Sequence, residues 1–334
     1  MKPDIKLVKL RDNLVNIEKL LKELVLQPRI NAIKWSEITK QTPNIKIGYP
    51  GQHLASLITG MTGERTGARG NDLQDGSEVK SCSRIDQLDK CNSCGAPVAR
   101  LETNCSECNS TDIKRNNDSK WLFSIRNEDE LDLLTNKVKR VVLIIGDYPN
   151  FESGDHSTLR FQAFEIWPSS ERQKMFAKIM TNYYRKIYLG HKKQNASSNP
   201  APKNFWPYQY QFYICNPIQT FSCIVKNANK APEIEIENYI EPDVDREGLP
   251  SIIMPIDILK EEEINCIIKQ ADENLLRRLL AGYKTKKGAL RLSLDEKRKF
   301  FPVGVPEELR VFLPLRDTDK ISTSKSNYSR RGLK

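Results

Sequence analysis

Histidine is scarce in this chain: there are three in 334 residues, His53, His156 and His191, far apart and none flanking a cysteine pair. That scatter excludes a histidine-metal nuclease motif, and it leaves no base placed beside a serine or cysteine nucleophile. Long apolar runs are missing as well. The strongest, Val141 to Ile145, has the length of a strand and falls far short of a bilayer, so no membrane association is expected. The first residues, MKPDIKLVKLRDN, carry charge where a secretory leader needs its apolar stretch, and the expectation is an intracellular, cytoplasmic protein. A glycine loop, GERTGARGN, is present but lacks the Gly-Lys-Ser/Thr ending of a P-loop, which argues against a nucleotide cofactor.

What the chain does contain is charge and cysteine. Hydrophobic residues at 38% and charged residues at 29% describe a soluble protein long enough for two or three domains. The net charge of +10 suggests a polyanionic partner, a signal shared by many basic proteins that bind no nucleic acid. Eight cysteines in a reducing compartment point to metal binding or free thiols before disulfides. Four of them fall as Cys91-x-x-Cys94 and Cys105-x-x-Cys108, ten residues apart, so two tight turns can each offer two thiolates to one Zn²⁺. With all four positions filled by protein the site is closed and structural, and the metal replaces a core that so short a segment cannot build. The stretch between the pairs has room for a short hairpin. Lys90, Arg100, Lys114 and Arg115 decorate this module and suit either phosphate contact or a solvated surface. Cys215, Cys223 and Cys266 have no partner pair and read as buried thiols, the first two in strands.

Apolar spacing predicts a helix over residues 4–26 ended by Pro28, a second from Ala32 to Lys40, and a third from near Pro50 to Gly60. Strands follow at about Trp121–Arg126, in KRVVLIIGDYP and in the alternating TLRFQAFEIWP, then a long helix from Ser169 or Ser170 to Gly190. Elements in this order give an α/β fold, a mixed β-sheet flanked by helices, with the cysteine module inserted between its second and third strands. The expected divisions are an N-terminal helical region at 1–46, a core at 47–190 with the module at about 86–118, a linker at 191–204, and a C-terminal α+β region at 205–334 for DNA binding or dimerisation. That last region combines aromatic-rich β-structure from Phe205 to Asn227, a strand EIEIENYI, a mostly helical stretch from Ile258 to Phe300 with a core stripe of Leu275, Leu276, Leu279 and Leu280, and a basic tail.

Residues 67–82, GARGNDLQDGSEVKSC, carry the candidate chemistry. They read as a glycine loop, a short strand, an Asp75-Gly76 turn and a second strand on which Glu78, Lys80 and Cys82 share a face. A three-residue loop, Gln74-Asp75-Gly76, would set Asp72 opposite Glu78 on that face; a two-residue turn would send it to the other. Phosphodiester hydrolysis needs one or two carboxylates to anchor Mg²⁺, with positions left for water and phosphate, and a lysine can orient or deprotonate the water. Asp72, Glu78 and Lys80 provide that set, although Glu-x-Lys alone recurs by chance in most proteins. Asp75 is a rival first ligand.

On Asp72, Glu78 and Lys80 the chain resembles the PD-(D/E)xK restriction endonuclease superfamily, with Asn71 standing where the eponymous proline would be. More narrowly, HLASLITGMTGERTGARGNDLQDGSEVKSCSRIDQLDKC, the four-cysteine module and DSKWLF resemble the MamI-type restriction endonucleases. The resemblance implies a restriction-endonuclease-like fold and a type II enzyme that cuts both strands of double-stranded DNA at a short palindromic site as a homodimer. It also implies a supplementary acid upstream, for which Glu37 and Glu64 are the candidates. DNA contacts are expected from Arg65, Arg69, Lys114, Arg115, Arg330 and Arg331. Two other readings fit part of the pattern. A non-catalytic zinc ribbon that binds nucleic acid leaves Asp72, Glu78 and Lys80 unexplained, and a repair nuclease would share the fold.

Overall fold

The computed structural model describes residues 1–43, 48–65, 71–85, 87–116 and 119–319. Among them are ten strands: β1 (Glu78–Ser83), β2 (Leu88–Cys91), β3 (Pro97–Ala99), β4 (Ile113–Lys114), β5 (Trp121–Phe123), β6 (Val141–Asp147), β7 (Leu159–Ile166), β8 (Lys203–Phe205), β9 (Ile218–Lys226) and β10 (Glu233–Tyr239). The chain divides into two compact units, one of Met1–Leu122, Lys137–Trp167 and Gln219–Leu249, the other of Phe123–Asn136, Pro168–Ile218 and Pro250–Lys334. No helix among the described residues is long and apolar enough to cross a membrane.

The first unit is built on a mixed sheet in the order β1-β6-β7-β9-β10. The run VVLIIGD in β6 suits a strand covered on both faces, and all seven of its residues are buried. It pairs parallel with β1, from Glu78↔Val141 to Ser83↔Gly146, and antiparallel with β7. Alternation in β7 predicts one solvated face, yet all eight of its residues are buried. Ion pairs explain the difference: Arg160 meets Asp147 at 2.7 Å, and Glu165 meets Arg140 at 3.0 Å and Arg246 at 3.2 Å.

Two expectations about the start of the sheet are corrected here. No strand precedes β1 among the described residues; Leu73 makes one isolated antiparallel bridge, to Gly63, and β1 takes its ladder from β6. The cysteine module, a small sheet in the order β3-β2-β4, therefore follows the first strand of the main sheet rather than its second.

Helices α1 (Asn13–Leu21) and α3 (Gly48–Thr59) bury Ile17, Leu21, Leu54, Ala55 and Ile58 against Val79, Val142 and Ile144. Each leucine or isoleucine among them contributes roughly 1.5–3 kcal/mol when fully buried. Gly51 lets α3 approach β1, since a Cβ there would lie 2.1 Å from Ser81 Oγ. Pro28 does not end the first helix. It sits within a continuous helical run, in the first turn of α2 (Gln27–Thr39) directly after a π turn over Lys22–Leu26, where the α-helical hydrogen-bond ladder is already interrupted.

In the second unit a helix over Met175–Asn182 continues through a π turn, Tyr183–Tyr188, to Gln194, so Gly190 lies inside it instead of ending it. The aromatic-rich stretch expected as β-structure contains a short helix, Tyr210–Ile214, with Cys215 at its end. Its Phe212 joins an aromatic cluster with Phe205, Phe176 and Phe123, ring centroids 5.5 to 6.2 Å apart. Leu276 and Leu280 are buried, as a core stripe requires.

Candidate active site and cysteine cluster

A compact loop takes the place of the expected hairpin. The N–H groups of Asp72 and Leu73 both donate to Ser77 O, at 2.9 and 3.1 Å, and Gly76 N–H donates to Leu73 O at 3.0 Å. Gly76 sits at φ 85°, the left-handed region that glycine enters at no steric cost. The register question of a hairpin thus does not arise, because Asp72 reaches β1 with its side chain: Oδ2 accepts the Val79 N–H at 2.7 Å. β1 is an edge strand, and in a parallel pair alternate N–H groups point away from the partner. The carboxylate of Asp72 fills one of those outward positions, where a hairpin strand would have offered a carbonyl. Glu78 and Lys80, two apart on β1, form an ion pair through Oε1 and Nζ.

Burial is the first cause that lifts both carboxyl groups above their ordinary range. For Asp72 the Val79 N–H and then Lys80 oppose it; for Glu78, Lys80 opposes it and the neighbouring Asp72 adds to it. Among the described residues, these two partly buried, mutually repelling carboxylates share the ammonium of Lys80, which leaves the group net negative. A hard divalent cation offsets that charge and takes oxygen donors, so the donor set fits Mg²⁺. The Glu78 and Lys80 side chains are 17% and 29% exposed, open enough for a substrate to approach.

The other acids separate clearly. Asp75 is buried, 2.8 Å from Arg140 Nη2, and its Oδ1 accepts the Ser77 N–H at 3.1 Å, so it is committed to the turn. Glu64 is exposed and donates its N–H to Asp72 O at 2.8 Å, which starts its side chain beside the site. Glu37 lies on α2, lining a recess with Leu101, Glu102 and Ser106 of the cysteine module.

Each Cys-x-x-Cys folds into the same knuckle. Gly95 N–H donates to Cys91 O at 3.0 Å and Asn109 N–H to Cys105 O at 2.8 Å, while the N–H groups of Cys91 and Cys105 reach Ala96 O and Ser110 O, both at 2.9 Å. Gly95 and Asn109 occupy the left-handed position at φ 79° and 57°. The four sulfurs lie within 4.8 Å of one another, with Cys91 Sγ 3.6 Å from Cys108 Sγ and Cys94 Sγ 3.5 Å from Cys105 Sγ. That is the shape of a tetrahedral thiolate site. Amide donors aimed at Cys91, first that of Cys94, lower its thiol to about 6, whereas at Cys94 and Cys108 the amide donors of Ala96 and Ser110 are outweighed by crowding from the neighbouring thiols, which raises the thiols.

The short hairpin expected between the cysteine pairs is displaced: β2 and β3 straddle the first knuckle, and the second leads into β4, which pairs with β2. Asp89, which nothing in the sequence distinguishes from a solvated acid, organises the rest of the module. Its buried carboxylate meets Arg100 Nη2 and Nε, both at 2.7 Å, Arg115 Nη1 at 2.9 Å and the Asn116 N–H at 2.8 Å. Arg115 also donates to Glu102 O at 2.5 Å, so its guanidinium is bound within the module. Lys114 and Arg65 are exposed, whereas Arg69, Arg330 and Arg331 lie outside the described residues.

A family model described as MamI restriction endonuclease matches residues 34–257 of the chain. A protein of Microbacterium ammoniaphilum, "Type II restriction enzyme MamI", is 34% identical over 74 residues, 22% of this chain and 24% of that protein. The aligned stretch thus spans about a quarter of that relative's length. No solved structure matches the chain at a significant level.

Proposed function

The chain belongs to the MamI restriction endonuclease family, and from that premise we propose that it is a type II endonuclease hydrolysing phosphodiester bonds in double-stranded DNA with Mg²⁺ held by Asp72 and Glu78. The observation that carries this reading is the meeting of two partly buried, charge-starved carboxylates with Lys80 at an open sheet edge. Bound there, Mg²⁺ supplies Lewis acidity toward a phosphate oxygen and toward its own water. Asp72 is held to its post by the Val79 N–H, and Glu78 is held by the β1 backbone. Lys80, whose ammonium pairs with Glu78 across the site, would orient the attacking water once Glu78 turned to the cation, and the proton that the water sheds would pass to solvent.

Zn²⁺ at Cys91, Cys94, Cys105 and Cys108 has a structural role in this reading, since the protein fills all four positions. The active species is a homodimer that places one site on each strand of a short palindrome. Lys114 and Arg65, with Arg69, Arg330 and Arg331, serve the DNA backbone, whereas Arg115 is engaged by Asp89 and Glu102 O and braces the module instead. Incubation with plasmid and Mg²⁺ tests the reading: discrete fragments are expected. Retarded but uncut DNA would instead favour a non-catalytic binder, and scattered or structure-dependent cuts a repair nuclease.

A further inference from the structure

The Asp72 loop and the edge strand β1 are gripped from beneath by one residue. Arg140 immediately precedes β6 and is inaccessible to solvent. Its carbonyl accepts the Glu78 N–H at 3.0 Å, and the adjoining Lys139 N–H donates to Gly76 O at 3.0 Å. Its guanidinium donates through Nε to Ser77 Oγ at 2.8 Å, pairs through Nη2 with Asp75 Oδ2 at 2.8 Å, and reaches Glu165 Oε1 through Nη1 at 3.0 Å. Glu165 in turn holds Arg246 at 3.2 Å and accepts Trp167 Nε1–H at 3.1 Å. Two guanidiniums and two carboxylates therefore close a neutral buried network.

Asp75 and Ser77 belong to the turn that separates Asp72 from Glu78. Arg140 fastens that turn with its side chain and Glu78 with its carbonyl, so both ends of the gap between the carboxylates hang on it. Stability alone does not call for such a residue, because well-packed apolar side chains often replace a buried ionic network at no cost. Precision does, because a ligand pair displaced by a fraction of an ångström no longer matches the strict geometry of a small divalent cation.

We propose that Arg140, acting with Asp75, is a positioning residue that sets the spacing of Asp72 and Glu78 and thereby the affinity of the site for its divalent cation. This inference rests on the reading of Asp72 and Glu78 as metal ligands. Two variants test it on the full-length, zinc-loaded protein. Arg140→Lys keeps a cation against Asp75 and Glu165 but drops the bond to Ser77; Asp75→Asn keeps the acceptor for Ser77 N–H and weakens the pair. In each, Mn²⁺ binding, read from the EPR signal of the free ion, should weaken by about tenfold or more. The Mg²⁺ concentration for half-maximal cleavage should rise in parallel, and excess Mg²⁺ should restore most of the rate.

If Arg140→Lys fails to fold, Asp75→Asn carries the test alone. A merely structural role would lower the melting temperature and the active fraction while leaving Mn²⁺ affinity at the wild-type value, and that result would overturn the inference alone. Wild-type protein that binds no Mn²⁺, or whose binding survives Asp72→Asn, would overturn the metal-site reading beneath it.

Discussion

Strands β6 and β7 bury every residue they contain, whereas the three strands of the cysteine module close over a small apolar cluster of Cys91, Val98 and Cys105, with Ala96 and Ile113 alongside. The sheet draws its stability from apolar area, and it tolerates Arg140, Glu165 and Arg246 in its interior because, with Asp75, the two guanidiniums and two carboxylates neutralise one another. The module lacks that area. It leans on polar bonds to one aspartate and on four sulfurs brought within 4.8 Å, a crowding of thiols that a metal converts from liability to bond. The candidate chemistry stands on the self-sufficient element, at its open edge, where Asp72 completes the hydrogen bonding of β1 with a side chain. The contrast predicts that damage to the two regions separates cleanly: one loses chemistry and keeps its fold, the other loses its fold.

The largest effect on that comparison is expected from Lys80→Ala. Loss of the ammonium should cut the cleavage rate by about 10³-fold or more while leaving DNA affinity and the thermal transition near wild type. Retained cleavage under the same Mg²⁺ would remove Lys80 from the mechanism. Second is Cys105→Ser or zinc chelation. Hydrogen exchange should then show residues 88–116 unprotected and β6 and β7 still protected, with DNA affinity reduced, since a structural zinc contributes on the order of 10 kcal/mol to so small a module. Uniform protection across both regions would mean that the module folds without metal.

Third is Asp72→Asn, which should stabilise the metal-free protein. A carboxyl raised by burial binds its proton more tightly folded than unfolded, so its ionisation erodes stability as pH climbs past the ordinary carboxylate range. Asparagine removes the charge, and its side-chain oxygen still accepts from Val79. A melting temperature higher by about 2–4 °C at pH 7, fading toward pH 4, is the expected result in metal-free buffer. A lower one would mean that Asp72 is held chiefly by attraction to Lys80.

The sequence made some of this legible because certain signals are local. A branched apolar run such as Val141–Ile145 has few alternatives to a central strand, and Cys-x-x-Cys spacing is itself the geometry of a knuckle. Glu78 and Lys80 meet because strand periodicity is strict. The position of Asp72 was not legible. It depends on β1 being an edge strand paired with a segment some sixty residues on, so no turn rule could reach it. Nor could sequence distinguish the buried Arg100, Arg140 and Arg246 from the solvated arginines of a basic protein, since their burial is decided by distant carboxylates. Alternation in β7 misled for the same reason, and Pro28 misled because a π turn precedes it.

The smallest expected effect tests the seam between the two regions. His156 packs its ring against Tyr148 at 5.2 Å and Phe151 at 6.0 Å, and the guanidinium of Arg100, from the module, lies over the same two rings at 5.7 and 4.7 Å. Tyr148 OH donates to Ile85 O at 3.1 Å, just past β1. Burial first, then the positive charges of Arg100 and Arg115, push His156 down to about 4, so it stays neutral in the folded protein at pH values where an unfolded histidine is charged. The unfolded chain therefore binds the extra proton, and this contribution is present in full above about pH 6.5 and is lost as pH falls toward 4. His156→Phe keeps a ring in the seam and removes the titration. Its melting temperature should fall less steeply than wild type between those limits, by about 1 °C at pH 5, and the wild-type slope should persist if the module and the sheet do not meet through this ring.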